Sequence, residues 1–103
     1  MNATSRATAP PDLVVRHNPA AHRFEAIIEG ELCRANYRPL DDVLAMNHTE
    51  VPQRLRGRGI ARALVAFAVE FARANGMRIA PYCSYVRGYF ERHPEAHDVL
   101  APL

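Results

Sequence analysis

One short stretch combines the residue types that bind an anion: RLRGRGIA, residues 54–61. Gly57 and Gly59 have no Cβ, so the backbone beside them can curl and approach a ligand closely. Guanidinium groups form charge-assisted hydrogen bonds with phosphate oxygens, and the stretch offers three, on Arg54, Arg56 and Arg58. The chain has no lysine, which excludes the GxxxxGK[ST] loop of nucleoside triphosphatases. Three uses stay open: a cradle for cofactor phosphates, a basic patch for nucleic acid, and an ordinary turn.

A second group of residues could take part in proton transfer or nucleophilic attack. His48 and Glu50 alternate onto one face of a predicted strand. The histidine titrates near neutral pH, whereas the glutamate would need a raised pKa or a bridging water. Cys83 stands where a predicted strand gives way to a helix, so the first amides of that helix would lower its thiol pKa. A solvated strand face and a small buried cysteine are the structural alternatives.

Length and composition set bounds on the class of protein. With 103 residues the chain forms one small domain, and its 49% hydrophobic and 23% charged residues are typical of soluble proteins. A net charge of +2 is small for a general nucleic-acid binder, although a local arginine patch stays open. The longest apolar run, residues 63–69, lies between Arg62 and Glu70 and is too short to span a membrane.

The cysteines and histidines show no metal-type spacing. Cys33 and Cys83 lie far apart in the sequence, and His93 and His97 are separated by Pro94. We therefore predict no metal site and a reduced, cytoplasmic protein. Cys33 lies in the middle of a predicted strand and is assigned to the core.

Strands and helices must bring the candidate residues together. Alternating apolar residues predict four strands before the glycine stretch, over residues 13–17, 23–30, 31–38 and 43–51. The segment PLDD, residues 39–42, is predicted to interrupt the pattern between the third and fourth strands. Pro52 is predicted to end the fourth strand, because proline cannot donate a hydrogen bond to a ladder.

Behind the glycine stretch the apolar spacing becomes helical. A helix is predicted over residues 60–75, and its apolar stripe consists of Ile60, Leu64, Phe67 and Phe71. MRIAPYC predicts a fifth strand, and residues 84–92 predict a second helix ended by His93-Pro94. The glycine stretch therefore lies at the start of a helix, where unpaired N–H groups and a partial positive charge attract anions.

The glycine stretch and two flanking segments resemble one known family. RLRGRG, residues 54–59, matches the R/Q-x-x-G-x-G/A signature of the general-control-related N-acetyltransferase (GNAT) superfamily. HTEV, residues 48–51, and PYCSYVRGYFERHPE, residues 81–95, are similar to a subgroup of very small, single-domain members. The resemblance implies a single-domain α/β fold over residues 12–103, with antiparallel N-terminal strands followed by a splayed parallel β-α-β-α unit. Residues 1–11 are expected to form a flexible tail.

The same resemblance implies acetyl-CoA as cofactor. In that superfamily the glycine loop binds the pyrophosphate, and the pantetheine arm pairs with the backbone of the fourth strand, here about residues 47–51. The implied cofactor contacts are Val51, Arg54, Arg56, Gly57, Arg58, Gly59, Ile60 and Ala61. The acetyl group would pass to an amine on a protein, peptide or small molecule. Transfer would be direct, assisted by Glu50 or His48, or would pass through acetyl-Cys83 with His48 as base.

This sequence departs from the larger relatives in two places. NPAAH, residues 18–22, is only a turn where they have helices, so we expect an open, shallow acceptor side. Phe90 stands where they often carry a tyrosine acid, with Tyr89 adjacent and Tyr85 one turn earlier as substitutes. We expect a monomer or weak dimer. A non-catalytic CoA-binding module and an arginine-patch nucleic-acid-binding domain stay open as alternatives.

Overall fold

Five strands and two α-helices make up the fold of residues 13–102, which a computed structural model describes. The strands are β1 (Arg16–Asn18), β2 (Arg23–Ile28), β3 (Glu31–Leu40), β4 (Val43–Glu50) and β5 (Arg78–Pro81). The helices are α1 (Ile60–Ala74), between β4 and β5, and α2 (Ser84–Arg92), after β5. The predicted tail, residues 1–11, lies outside the described residues.

The strands form one sheet in the order β1-β2-β3-β4-β5. The first four strands pair antiparallel, and β5 pairs parallel to β4. The β4–β5 pairing runs only from Val43 and Arg78 to Met46 and Pro81, after which β4 continues without β5. An antiparallel meander followed by a splayed parallel pair was predicted, and the structure confirms it.

Two tight hairpins set the register of β2, β3 and β4. Glu29 and Gly30 form the first turn, with φ values of 51° and 78°. The second turn consists only of residues 41–42, so the prediction that residues 39–42 interrupt the strands was wrong for Pro39 and Leu40. The amide of Tyr37 points to the β2 side, where it donates to His22, and the nitrogen of Pro39, two residues later, lies on that same side. Pairing with β2 ends at Asn36, so the missing N–H of Pro39 costs no ladder hydrogen bond.

The core lies between the sheet and α1. Buried residues of α1 (Ile60, Leu64, Val65, Ala68, Val69 and Ala72) form one cluster with the buried faces of β2 and β3, among them Phe24, Cys33 and Ala35. The predicted stripe through Phe67 was wrong at that residue, which is 37% exposed. The small side chains of Ala68 and Ala72 let the helix approach the sheet, so the larger ring lies at the flank of the interface, 5.8 Å from Phe24.

The opposite face of β3 and β4 carries polar side chains. Arg34, Asn36, His48 and Glu50 lie there, exposed or half-buried, and we call this the outer face. Between β1 and β2 there is only the 3-10 turn Pro19–Ala21, as predicted. Strand β1 begins at Arg16 rather than residue 13, because Leu13 and Val15 pack against the core without joining the ladder.

The end of the described chain packs back on the sheet. A 3-10 helix, Pro94–Val99, follows α2, and the amide of Ala101 donates to the carbonyl of Ile79 at 2.8 Å. The sequence patterns did not predict this helix. Within residues 13–102, neither helix has the length and apolar character needed to cross a membrane.

Candidate active site

The predicted glycine loop connects β4 to the start of α1. Leu55 anchors the loop in the core, with no exposed surface. Gly57 and Gly59 take the left-handed conformation, with φ values of 84° and 80°, which side chains with a Cβ disfavour. No side chain caps α1, because Gly59 occupies the N-cap position. The amides of the first turn of α1 therefore have no partner within the helix, which leaves donors for an anion.

A cleft of about 390 Å³ opens at this loop. Its walls come from the end of β4, the loop, the first turn of α1 and the first turn of α2. The lining residues are Thr49, Val51, Leu55, Arg56, Gly57, Gly59, Ile60, Ala61, Arg62 and Tyr85. Six predicted cofactor contacts line the cleft, namely Val51, Arg56, Gly57, Gly59, Ile60 and Ala61, whereas Arg54 and Arg58 do not.

Arg54 and Arg58 bind carboxylates of the β2–β3 turn. Nη1 of Arg54 lies 2.6 Å from Oε1 of Glu29, and Nη1 of Arg58 lies 2.7 Å from Oε2 of the same carboxylate. Nε of Arg54 also donates to Glu31. The hydrogen bond from Arg58, and then that from Arg54, lowers the pKa of Glu29, so its carboxylate is ionised at neutral pH. Two of the three loop arginines that were predicted to close over phosphates therefore have carboxylate partners, and phosphate contacts of Arg54 and Arg58 stay a prediction.

The splay of β4 from β5 adjoins the same cleft. The carbonyl of Met46 accepts hydrogen bonds from the amides of both Tyr82 and Cys83, each at 3.0 Å, and these are the last backbone hydrogen bonds between the two segments. From Asn47 to Glu50, β4 pairs only with β3 among residues 13–102, so within that part of the chain its other edge is free for an extended ligand.

A β-bulge at Asn47 decides which side chains of β4 point toward the cleft. Tyr37 pairs with Met46 and Asn36 with His48, so Asn47 is the extra residue. Met46 faces the core before the bulge, and Thr49 and Val51 face the cleft after it. One inserted residue thus exchanges the two faces of the strand.

Cys83 lies at the N-cap of α2, half-buried beside the splay. Its Sγ atom lies 3.7 Å from Oγ1 of Thr49. Burial raises the pKa of the thiol, but the nearby Val86 amide, the Thr49 hydroxyl and the Tyr85 amide favour the thiolate and lower the pKa by more. The net pKa of Cys83 is below that of an ordinary cysteine, which increases the thiolate fraction at neutral pH.

His48 and Glu50 lie on the outer face, away from Cys83. Oε1 of Glu50 is 2.8 Å from Nη2 of Arg34 and 3.0 Å from Nε2 of His48. The bond from His48, and then the charge of Arg34, lowers the pKa of Glu50, whereas a base role would need it raised. The expected contact between His48 and Cys83 is absent from the described structure, because the bulge at Asn47 turns Thr49 toward the thiol instead. Catalytic roles for His48 and Glu50 stay predictions.

Four residues that line the cleft were not among the predicted cofactor contacts: the core residue Leu55, and Thr49, Arg62 and Tyr85. Thr49 lies between the two strand residues that the sequence did single out, and Arg62 lies in the first turn of α1. Tyr85 lines the cleft, whereas Tyr89 is buried and stacks on His93 with ring centroids 4.2 Å apart. Of the two tyrosines considered as substitutes for the missing acid, only Tyr85 reaches the cleft. Its position two residues after Cys83 is a signal that the sequence offered.

Comparison with known proteins agrees with this geometry. The profile of the GCN5-related N-acetyltransferase family matches residues 23–99. Protein NATD1 of Homo sapiens is 35% identical over 52 residues, which cover 50% of this chain and 46% of that protein. The Xenopus tropicalis protein of the same name is 37% identical over 49 residues, 48% of this chain and 45% of that protein. The matches thus span about half the length of these relatives.

A solved structure extends the likeness to nearly the whole chain. It is the solution structure, determined by NMR, of a GCN5-like protein from Staphylococcus aureus, with a TM-score of 0.70 and 26% sequence identity. The superposition covers 91% of this chain and 93% of that one. The profile match extends over β2 to α2 and the 3-10 helix behind it, and therefore includes the glycine loop, the splay and Cys83. This chain belongs to the GCN5-related N-acetyltransferase family.

Proposed function

We propose that this protein transfers an acetyl group from acetyl-CoA to an amine. The observation that carries the proposal is a cleft that joins an uncapped helix start and a free strand edge, with a half-buried thiol beside it. These three features suit the pyrophosphate, the pantetheine arm and the thioester of one ligand. A nucleic-acid-binding domain would need free arginines on the loop, and the ion pairs of Arg54 and Arg58 argue against it.

Residues of the cleft fit each part of that ligand. The amides of Ile60, Ala61 and Arg62 would hold the pyrophosphate, with the guanidinium groups of Arg56 and Arg62 beside them. Arg56 is steadied by a 3.0 Å hydrogen bond from its Nε to the carbonyl of Val51. The free edge of β4 between Asn47 and Glu50 would pair with the amide groups of the pantetheine arm.

Acetyl-CoA would supply the acetyl group as a thioester. The Cys83 thiolate would attack the carbonyl carbon, forming a bond to Sγ as the bond to the CoA sulfur breaks. Tyr85, a cleft residue that carries a phenol, would give a proton to that departing sulfur. An amine would then displace Sγ, which restores the thiolate, and the proton that the amine loses would return to the Tyr85 oxygen. The sum is acetyl-CoA plus amine giving acetylated amine plus CoA.

Calorimetry followed by intact mass measurement tests the proposal. We expect acetyl-CoA to bind with one site per chain, and the protein to gain the mass of one acetyl group when no amine is present. Addition of a lysine peptide, a peptide with a free N-terminus or spermidine should remove that mass and acetylate the acceptor. Binding without any acetylated product over this panel would contradict transfer and leave a non-catalytic CoA-binding module.

A further inference from the structure

The loop arginines outside the cleft are neutralised by a pair of acidic residues distant in sequence. Glu29 bridges Arg54 and Arg58 with one oxygen on each, and its carbonyl also accepts from Nη2 of Arg54 at 3.2 Å. Glu31 adds a second carboxylate to Arg54. The four side chains, all partly exposed, form a continuous series of ion pairs from Arg58 through Glu29 and Arg54 to Glu31, which we call the acidic clasp.

The residue type at position 29 is not explained by the turn that holds it. Both Glu29 and Gly30 have positive φ, and two-residue hairpins of this kind prefer asparagine, aspartate or glycine at such positions. A glutamate there is mildly strained. Its side chain is explained by its partners, because a carboxylate at the tip of this turn reaches both arginines.

The clasp changes which ligands the cleft can attract. With Arg54 and Arg58 neutralised, the cleft keeps two arginines, Arg56 and Arg62, together with the amides at the start of α1. That set is sufficient for a pyrophosphate but offers little to a polyanion that binds by charge alone. The affinity for CoA must then come in part from apolar and backbone contacts along β4.

We propose that Glu29 and Glu31 are specificity-determining residues that mask two loop arginines and so exclude bare polyanions from the site. This inference rests on the proposed binding of acetyl-CoA, and it adds that the glycine loop is selected against nucleic acids and free polyphosphates. Specificity of this kind comes from weaker electrostatic attraction of the wrong ligand, not from additional contacts with the right one.

The double variant Glu29→Gln/Glu31→Gln tests the mask, with Asp42→Asn/Glu91→Gln as its matched control. Both variants lose two negative charges, but Asp42 lies in the β3–β4 turn and Glu91 on α2, and neither carboxylate has an arginine partner within residues 13–102. Binding of a fluorescein-labelled single-stranded oligonucleotide is measured by anisotropy over a range of KCl concentrations, and tripolyphosphate is titrated as competitor. Glu29→Asn repeats the test with a residue that suits the turn, which separates masking from folding.

Unmasking should raise oligonucleotide affinity at low salt on the order of tenfold. It should also steepen the salt slope by about 1.4, since each freed arginine adds roughly 0.7 on a single strand. The control should behave as the parent protein.

An equal gain in oligonucleotide affinity in the control would mean that overall charge is responsible. Unchanged oligonucleotide binding together with weaker CoA binding would mean that the clasp only shapes the loop. Either result overturns the proposal. Failure of the parent to bind CoA would count against the proposed function and leave the oligonucleotide comparison intact.

Discussion

The Sγ atom of Cys83 lies 3.7 Å from Oγ1 of Thr49, across the gap where β4 and β5 separate. The two residues are 34 positions apart, and the bulge at Asn47 is what turns Thr49 toward the thiol. When the thiol is ionised, the hydroxyl and the first amides of α2 donate to it. This arrangement lowers the pKa of Cys83 even though burial opposes ionisation.

Substitution of Thr49 by valine should therefore make Cys83 a weaker nucleophile. Valine keeps the shape but removes the donor, so the pKa of Cys83 should rise. The rate of iodoacetamide labelling, followed by peptide mass over a pH series, should have its midpoint at higher pH. Thr49→Ser keeps the hydroxyl and should retain the parent profile. An identical profile for Thr49→Val would show that the helix amides alone stabilise the thiolate.

Gly57 should be required for CoA binding more than for folding. A Cβ at this position meets nothing within 4 Å, so the cost of Gly57→Val comes from its φ of +84° and from obstruction of a ligand. Gly76→Val is the matched control, because Gly76 has a φ of +66°, equally open space and no place in the cleft. Both variants should lose roughly 1–2 kcal/mol of stability. Calorimetry should show abolished CoA binding only for Gly57→Val. If Gly57→Val binds CoA as tightly as the parent, the glycine loop is not part of the CoA site.

The arginines of the loop should differ in their contributions to CoA affinity. Arg62→Gln removes a guanidinium that lines the cleft, whereas Arg58→Gln removes one that Glu29 already binds. Hydrogen bonds to charged groups contribute about 1.5–3 kcal/mol, so Arg62→Gln should weaken CoA binding on the order of tenfold or more, and Arg58→Gln much less. Pantetheine, which has no phosphates, should bind both variants equally. A larger loss for Arg58→Gln would mean that the ion pair with Glu29 opens when the ligand binds.

Local patterns in the sequence were sufficient for much of the fold and for the loop. The start of α1 at Ile60, the whole of α2 and the left-handed glycines follow from periodicity and from residue types within one short window. The family resemblance supplied the splay, and the use of the loop for a cofactor stays a prediction. Burial of Cys33 was also predicted, and the structure confirms it.

The sequence contained no sign of contacts that distant residues decide. Arg58 and Glu29 are 29 positions apart, so nothing near the loop indicated that its arginines have carboxylate partners. The side of the sheet on which the His48 side chain lies depends on a bulge one residue earlier. A prediction from alternating residues assumes that the strand contains no such insertion. Both features belong to the assembled sheet rather than to any one segment.

The stability of the fold should fall in mild acid because of His17. Its ring stacks on Phe24 at 4.8 Å, and Nε2 lies 2.6 Å from the hydroxyl of Tyr37. Burial lowers the pKa of His17 from 6.5, so the folded state favours the neutral ring. The free energy that the neutral His17 ring contributes to folding is fully present above the pKa of histidine in the unfolded chain. It is lost as the pH falls through the lower pKa of His17 in the folded protein. Urea denaturation at about pH 7.5 and 5.5 should show the loss.

Two variants test whether His17 causes the loss of stability in acid. His17→Gln should be less stable than the parent at neutral pH, because it lacks the packed ring, but should lose less on acidification. Tyr37→Phe removes the hydrogen bond and leaves the burial, so it should keep the acid sensitivity. An undiminished loss in His17→Gln would assign the effect to other groups.

Cys83→Ala should separate binding from chemistry. The thiol lies beside the cleft but is not among the residues that line it at the loop, so CoA affinity should stay within about twofold of the parent. Acetyl transfer and the acetylated protein species should both be lost if Sγ is the nucleophile. Cys33→Ala is the control: it removes a fully buried core thiol and should cost stability while transfer continues.

Iodoacetamide should label Cys83 before Cys33, and CoA should protect Cys83 from labelling. Full transfer by Cys83→Ala would instead favour direct attack by the amine, and since Glu50 and His48 lie on the outer face, the acceptor would then have to approach from that side.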